Sequence, residues 1–283
     1  MAIISISRAC SSRGKEVAER VAATLGYQCV SREILAEASR FFGPPETNLH
    51  KSLHDAPTIL DRLTHAREKH LSYIRAALLQ YVKWDNVVYH GHAGHLLLPE
   101  ISHVLKVRVV AEMGDRIALT RKRLEMSEDE ALAFIKSEDR HRSAWTRHLY
   151  KKNVSDPRLY DIVLDVSRLG IQDACEIISS AAQSDTYTAT PESMRVMANL
   201  ALSSHVRAAL KGICEAEVIT DGGRVGISVR GQKLKKTGSA STHVRREVCE
   251  QIRADLSREI IERTVRIPGV EVLACIVELP YYS

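Results

Sequence analysis

Long hydrophobic runs are missing from this chain of 283 residues. No stretch reaches the ~18–20 uninterrupted apolar positions of a membrane span, so no transmembrane segment is expected. Met1 to Ile6 lacks a basic n-region and a long apolar core, so it does not read as a signal peptide. Aromatic residues are scarce, with three Phe and two Trp, too few for the stacking platforms of single-strand binders. Six cysteines occur, at 10, 29, 175, 214, 249 and 275. None forms C-x-x-C or sits at metal-ligand spacing, which points to reduced thiols in a cytoplasmic protein. An excess of one charge is lacking too. Lys+Arg 40 against Asp+Glu 35 leaves +5. That balance suits anionic ligands such as nucleotides but does not call for nucleic acid. There is no internal repeat, and no Ser/His/Asp or Cys/His constellation can be placed. Three nearby histidines, His90, His92 and His95, lack a fourth ligand for a zinc site.

What remains is ordinary globular composition, 45% hydrophobic and 27% charged, with length for about two domains. Ile3 to Ser7 reads as a strand. Val17, Val21 and Leu25 share one helical face, and Gly26 ends that helix. Tyr27 to Val30 is strand-like, and Ser31 is placed to cap a helix from Arg32 to Arg40. Gly43, Pro44, Pro45 and Pro57 predict a loop over 43–57. A long amphipathic helix is expected from Ile59 to Val82. Strands follow at Asn86 to Tyr89 and Val104 to Val110. Asp115 to Leu124 is helical, and Ser127 with Glu130 forms a capping-box pattern. Strand 161–166 and helix 171–181 complete a β-α alternation, which argues for an α/β domain with a helix-covered parallel sheet over residues 1–182. Polar residues 183–191 read as a linker. Residues 192–283 then read α-β-β-α-β, a small α+β domain.

The first turn reads Ala9-Cys10-Ser11-Ser12-Arg13-Gly14-Lys15-Glu16. It stands between a strand and a helix, as G-x-x-x-x-G-K-[ST] does. Ala9 replaces the first glycine, and Glu16 the hydroxyl. In such a turn, backbone N–H groups hold an anion and the lysine neutralises phosphate charge. Glu16 either holds Mg²⁺ or stabilises the helix N-terminus; the string leaves both open. Asp139, Arg140, Arg142 and Arg147 lie on or beside one helix. Arg140 and Arg147 share a face by spacing, and Arg142 points elsewhere. Arg121 and Arg123 read as surface residues.

Ile4-Ser5-Ile6-Ser7-Arg8, Gly14-Lys15-Glu16-Val17-Ala18 and Ser31-Arg32-Glu33-Ile34-Leu35 together resemble the cytidylate-kinase-like family. The resemblance continues at Val87 to Ala93, Asp115-Arg116-Ile117, Met126 to Ala131 and Tyr160 to Asp165. It implies a P-loop kinase-type sheet and a site for ATP and Mg²⁺ at Ser11, Ser12, Arg13, Gly14, Lys15 and Glu16. It also implies an acceptor site for a CMP-like nucleotide at Arg32 and His92. Arg140, Arg142 and Arg147 become lid arginines and, with Lys15, the catalytic set. Family glycines fall on Ser11 and Arg13, and a family arginine on His92. If residues 11 and 13 need φ > 0, each costs on the order of 1 kcal/mol.

Val206 to Leu210, Asp221 to Gly231 and Ile267 to Val272 resemble a BON domain. That implies a non-catalytic module for a protein or anionic lipid partner, with Lys233, Lys235 and Lys236 on its loop. Two functions remain: a nucleoside monophosphate kinase, or a degenerate kinase fold acting as a binding or regulatory protein.

Overall fold

A computed structural model describes residues 2–54, 66–91, 93–98, 101–234 and 241–282. Met1–Met194 and Arg195–Ser283 form two compact units.

The first unit is built on a five-stranded sheet in the order β2-β3-β1-β4-β5. Its strands are β1 (Ile3–Arg8), β2 (Gln28–Val30), β3 (Val87–His90), β4 (Val104–Val110) and β5 (Ile162–Asp165). Every pairing is parallel. Ile4, Ile6, Val88, Leu105, Val107 and Val109 are buried in one core on one face, and Ile3, Ser5, Val87, Tyr89 and Val104 are buried on the other, as strands covered on both faces require. Helix α1 (Gly14–Leu25) lays Val17, Ala18 and Val21 into that core. Gly26, at φ 69°, ends it.

Two expectations fail next to β2. Ser31 does not cap α2 (Glu33–Phe42), whose N-cap is Arg32; its hydroxyl donates instead to the His90 carbonyl at 2.7 Å. The loop expected over 43–57 contains a helix, α3 (Glu46–His54). Pro45 supplies the carbonyl that accepts from Asn48 and Leu49. The prolines therefore start a helix, which their fixed φ permits, and Leu49 and Leu53 are buried. Of the long helix expected from Ile59, the part α4 (Ala66–Val82) is described; Ile59 to His65 lie outside the described residues.

The short α5 (Gly94–Leu97) follows β3. Helices α6 (Met113–Leu124) and α7 (Glu128–Tyr150) follow β4. Ser127 and Glu130 form the expected capping box. Buried Trp145 anchors α7 to α3, its indole N–H donating to the Ser52 carbonyl at 2.8 Å. Helix α8 (Val166–Ala182) bends at Gly170, where φ is 76°. Residues 185–187 make a 3-10 turn, and Tyr187 packs on the first core.

The second unit takes in most of α9 (Pro191–Leu210), then β6 (Ala216–Asp221), β7 (Arg224–Val229), β8 (Lys233–Leu234), α10 (Thr242–Thr264), β9 (Val272–Val277) and β10 (Tyr281–Tyr282). The sheet β6-β7-β9 is mixed, with β6 antiparallel and β9 parallel to β7. Val218, Val225, Ile227 and Val229 alternate into a core with Leu202, Val206 and Ile260. Lys235 and Lys236 lie outside the described residues. No described helix is long and apolar enough to cross a membrane.

Candidate functional site

Strand β1 feeds β2 on one side of the sheet, and β4 feeds β5 on the other. The sheet order reverses between β1 and β4, where α/β sheets open a ligand crevice beyond their C-terminal strand ends. A cavity of about 1230 Å³ lies there. The whole turn from Ala9 to Glu16 lines it, with Arg8, Arg32, Gly91, Asp115, Lys122, Arg123, Glu138, His141 and Arg142.

Ala9 N–H donates to the Val109 carbonyl at 3.1 Å, tying the turn to β4. The buried Ser12 hydroxyl lies 3.0 Å from the Ala9 carbonyl and 3.1 Å from that of Val109. It serves the shape of the turn and is spent inside the protein. Ser11 and Arg13 sit at φ 55° and 58°, the left-handed region that glycine occupies without strain. Gly14 has a different reason: a Cβ there would come within 2.7 Å of the Arg8 Cβ. Arg13, the N-cap of α1, makes no side-chain cap. The first N–H groups of α1 therefore have neither an intrahelical partner nor a cap, which is how helix starts bind anions.

The charged side chains of the turn are engaged. Lys15 pairs with Glu19 at 3.5 Å and is 64% exposed. Both Glu16 oxygens are taken, by Arg13 and Arg20 at 2.9 Å each. Glu16 is thus a poor ligand for Mg²⁺. Among the described residues, no group of three His, Cys, Asp or Glu could hold a metal ion. The residues of this turn do not fit Mg²⁺.

Cations gather around Arg8. Its guanidinium is held below the ordinary arginine range, first by burial, then by Arg142, Arg123 and Arg32. No carboxylate among the described residues pairs with it. His90, at the end of β3, is pushed down to about 4 by burial and then by Arg8. His95 falls to about 3, from burial first and then Arg108 and Lys106. Its Nε2 lies 3.2 Å from the Tyr160 hydroxyl, which accepts from Arg108 at 3.2 Å. These histidines are neutral and structural near neutral pH.

The lid face differs from the sequence reading. Arg142 turns inward and donates to the Arg8 carbonyl at 3.1 Å. Arg140 and Arg147 are exposed and do not line the cavity. Buried Ala131, Ile135 and Trp145 mark the inner face of α7, and Glu138 and Arg142 continue that stripe. Polar residues standing in an apolar stripe were the signal. Arg32 is exposed at the cavity wall, and His92 lies outside the described residues. Arg8, Arg116 and Lys122 were not singled out as site residues by sequence reasoning, Asp139 was named only beside the lid arginines, and Arg123, read as surface, lines the cavity.

The cytidylate kinase-like family model matches residues 3–168. The chain belongs to the cytidylate kinase-like family. A search of curated proteins finds no match. Among solved structures, an uncharacterized protein from Eubacterium ventriosum is similar at 19% identity and TM-score 0.50, over 65% of this chain and 99% of that one. A shikimate kinase from Bacteroides thetaiotaomicron aligns at 10% identity and TM-score 0.40, over 65% and 99%. A sugar kinase from Janibacter aligns at 16% and TM-score 0.40, over 67% and 99%. The family match ends within α8, so it does not extend to the second unit.

Proposed function

We propose that the first unit binds a nucleotide at residues 9–16 and transfers the γ-phosphoryl group of ATP to a CMP-like nucleoside monophosphate. One observation carries this reading: the uncapped start of α1 and the arginines around Arg8 share one cavity. The helix start takes phosphate through N–H groups, and arginines bind it bidentately. Arg8, half-buried and without a carboxylate partner among the described residues, stabilises charge more strongly than an exposed cation. Lys15 leaves Glu19 to neutralise the donor phosphates. Arg32 and His92 are assigned to the acceptor, and Arg142 with Arg123 to the transferred group. A phosphate oxygen of the acceptor bonds to the γ-phosphorus as the bond to the β–γ bridging oxygen breaks, and ADP leaves. Such transfer needs positioning and charge neutralisation more than a strong base.

A second reading has observations in its favour. Lys15 is tied to Glu19, Glu16 to two arginines, and the turn carries two strained residues. The chain would then be a degenerate kinase fold that binds or regulates, acting through a BON-like second unit toward a protein or an anionic lipid.

A coupled assay of ADP formation from ATP with CMP, dCMP or UMP tests the first reading, with Lys15→Ala as control. Turnover that falls about tenfold or more in the variant supports transfer. A higher melting temperature with ATP but no ADP formation supports the second reading. No nucleotide effect rejects nucleotide binding in both. Failure of the full chain to bind anionic vesicles at low salt rejects the lipid partner.

A further inference from the structure

The β1–α1 turn is held from outside by α6 and α7. Cys10 N–H donates to Asp139 Oδ1 at 3.0 Å. Arg116 donates through Nε to the Cys10 carbonyl at 2.7 Å and through its second arm to Asp139 Oδ2. The Thr120 and Ser11 hydroxyls lie 2.7 Å apart, and that of Thr120 is also 2.8 Å from the Arg116 carbonyl. Arg116 and Thr120 are buried. None of these bonds uses an N–H of Arg13, Gly14, Lys15 or Glu16. The brace therefore grips the rear of the turn and leaves the anion-binding N–H groups uncommitted. It also acts beside the strain, because Ser11 and Arg13 pay the left-handed penalty that glycine escapes.

We propose that Asp139, locked by Arg116, is a positioning residue that holds residues 9–16 in shape where glycines are missing. The value of that shape for ligands rests on reading residues 9–16 as a phosphate-binding turn. A carboxylate on a backbone N–H also has a competing meaning: Asp139 could stand where a ligand phosphate belongs. The two meanings predict opposite signs when Asp139 is removed.

The test uses the full chain with two readouts, hydrogen–deuterium exchange over residues 9–16 and affinity for pyrophosphate. Asp139→Ala should speed exchange in that segment about tenfold and weaken pyrophosphate binding by a similar factor. Exchange in β7, in the other unit, should not move. Asp139→Asn should keep part of the protection, because its amide oxygen still accepts from Cys10 N–H; it also serves if the alanine variant folds poorly. Adding Ser11→Gly and Arg13→Gly to Asp139→Ala should recover much of the loss. Unchanged exchange over residues 9–16, or tighter pyrophosphate binding in either Asp139 variant, overturns the proposal. Faster exchange in a protein whose wild type binds no pyrophosphate upholds the brace and rejects the nucleotide reading instead.

Discussion

At the N-terminal end of the parallel sheet, the side chains of Asp85 and His103 meet at 3.2 Å and are almost wholly buried. At the C-terminal end, half-buried Arg8 faces the positive charge of Arg142, Arg123 and Arg32, and no described carboxylate pairs with it. Both ends place charged or ionisable groups out of water, which costs free energy unless a partner repays it. One end has its partner inside the fold. The other is built as if the partner comes from outside. Stability and binding should therefore separate between the two ends.

The largest effect is expected at the closed end. His103→Leu leaves the Asp85 carboxyl group buried without its 3.2 Å neighbour and should cost about 3 kcal/mol in denaturant unfolding. Nucleotide affinity measured below the unfolding transition should stay the same. If affinity falls as well, the two ends are not independent.

Acid comes next, and acts through the open end. His90 and His95 have folded values near 4 and 3 against an ordinary 6.5. Between those values the unfolded chain binds more protons, so stability rises with pH there and is lost as pH falls below about 6.5. The loss should be roughly 2 kcal/mol from pH 6.5 to 5.5, half from each histidine. His95→Gln should flatten the curve by about half in melts across that range; an unchanged slope contradicts the buried neutral assignment.

At Arg8 the sign of the stability effect should invert. Arg8→Met removes a half-buried cation with like-charged neighbours, so the melting temperature should hold or rise. ATP affinity should fall about tenfold, or 1.4 kcal/mol. The smallest effect belongs to the turn itself. Ser11→Gly should stabilise the ligand-free protein by up to about 1 kcal/mol, by relieving its left-handed strain. A loss of stability would mean that the Thr120 hydrogen bond outweighs the strain.

Much of this was legible in the sequence because it is local. Alternating Val225, Ile227 and Val229 fixed a strand face. Val17 and Val21 fixed a helix face, and Ser127 with Glu130 fixed a helix start. The strain at Ser11 and Arg13 could be anticipated from the residues that stand there, and both do adopt positive φ. The misses are tertiary. Prolines 44 and 45 read as a break, yet one helix ends before them and another begins after. Ser31 had a better acceptor across the sheet than its own helix. The inner face of α7 could not be chosen by arginine spacing, since packing by Ala131, Ile135 and Trp145 decides it. Arg116 and Asp139 are 23 residues apart, and only the docking of α6 on α7 brings them together at Cys10.

The central claim is that Arg8 and the cations around it, beyond β1, await nucleotide phosphate. Calorimetric titration of ATP into the wild type and into Arg8→Met tests it most directly. The account predicts saturable binding to the wild type, weakened about tenfold in a variant that melts no lower. Equal affinity in the two proteins, or no binding to either, would contradict it.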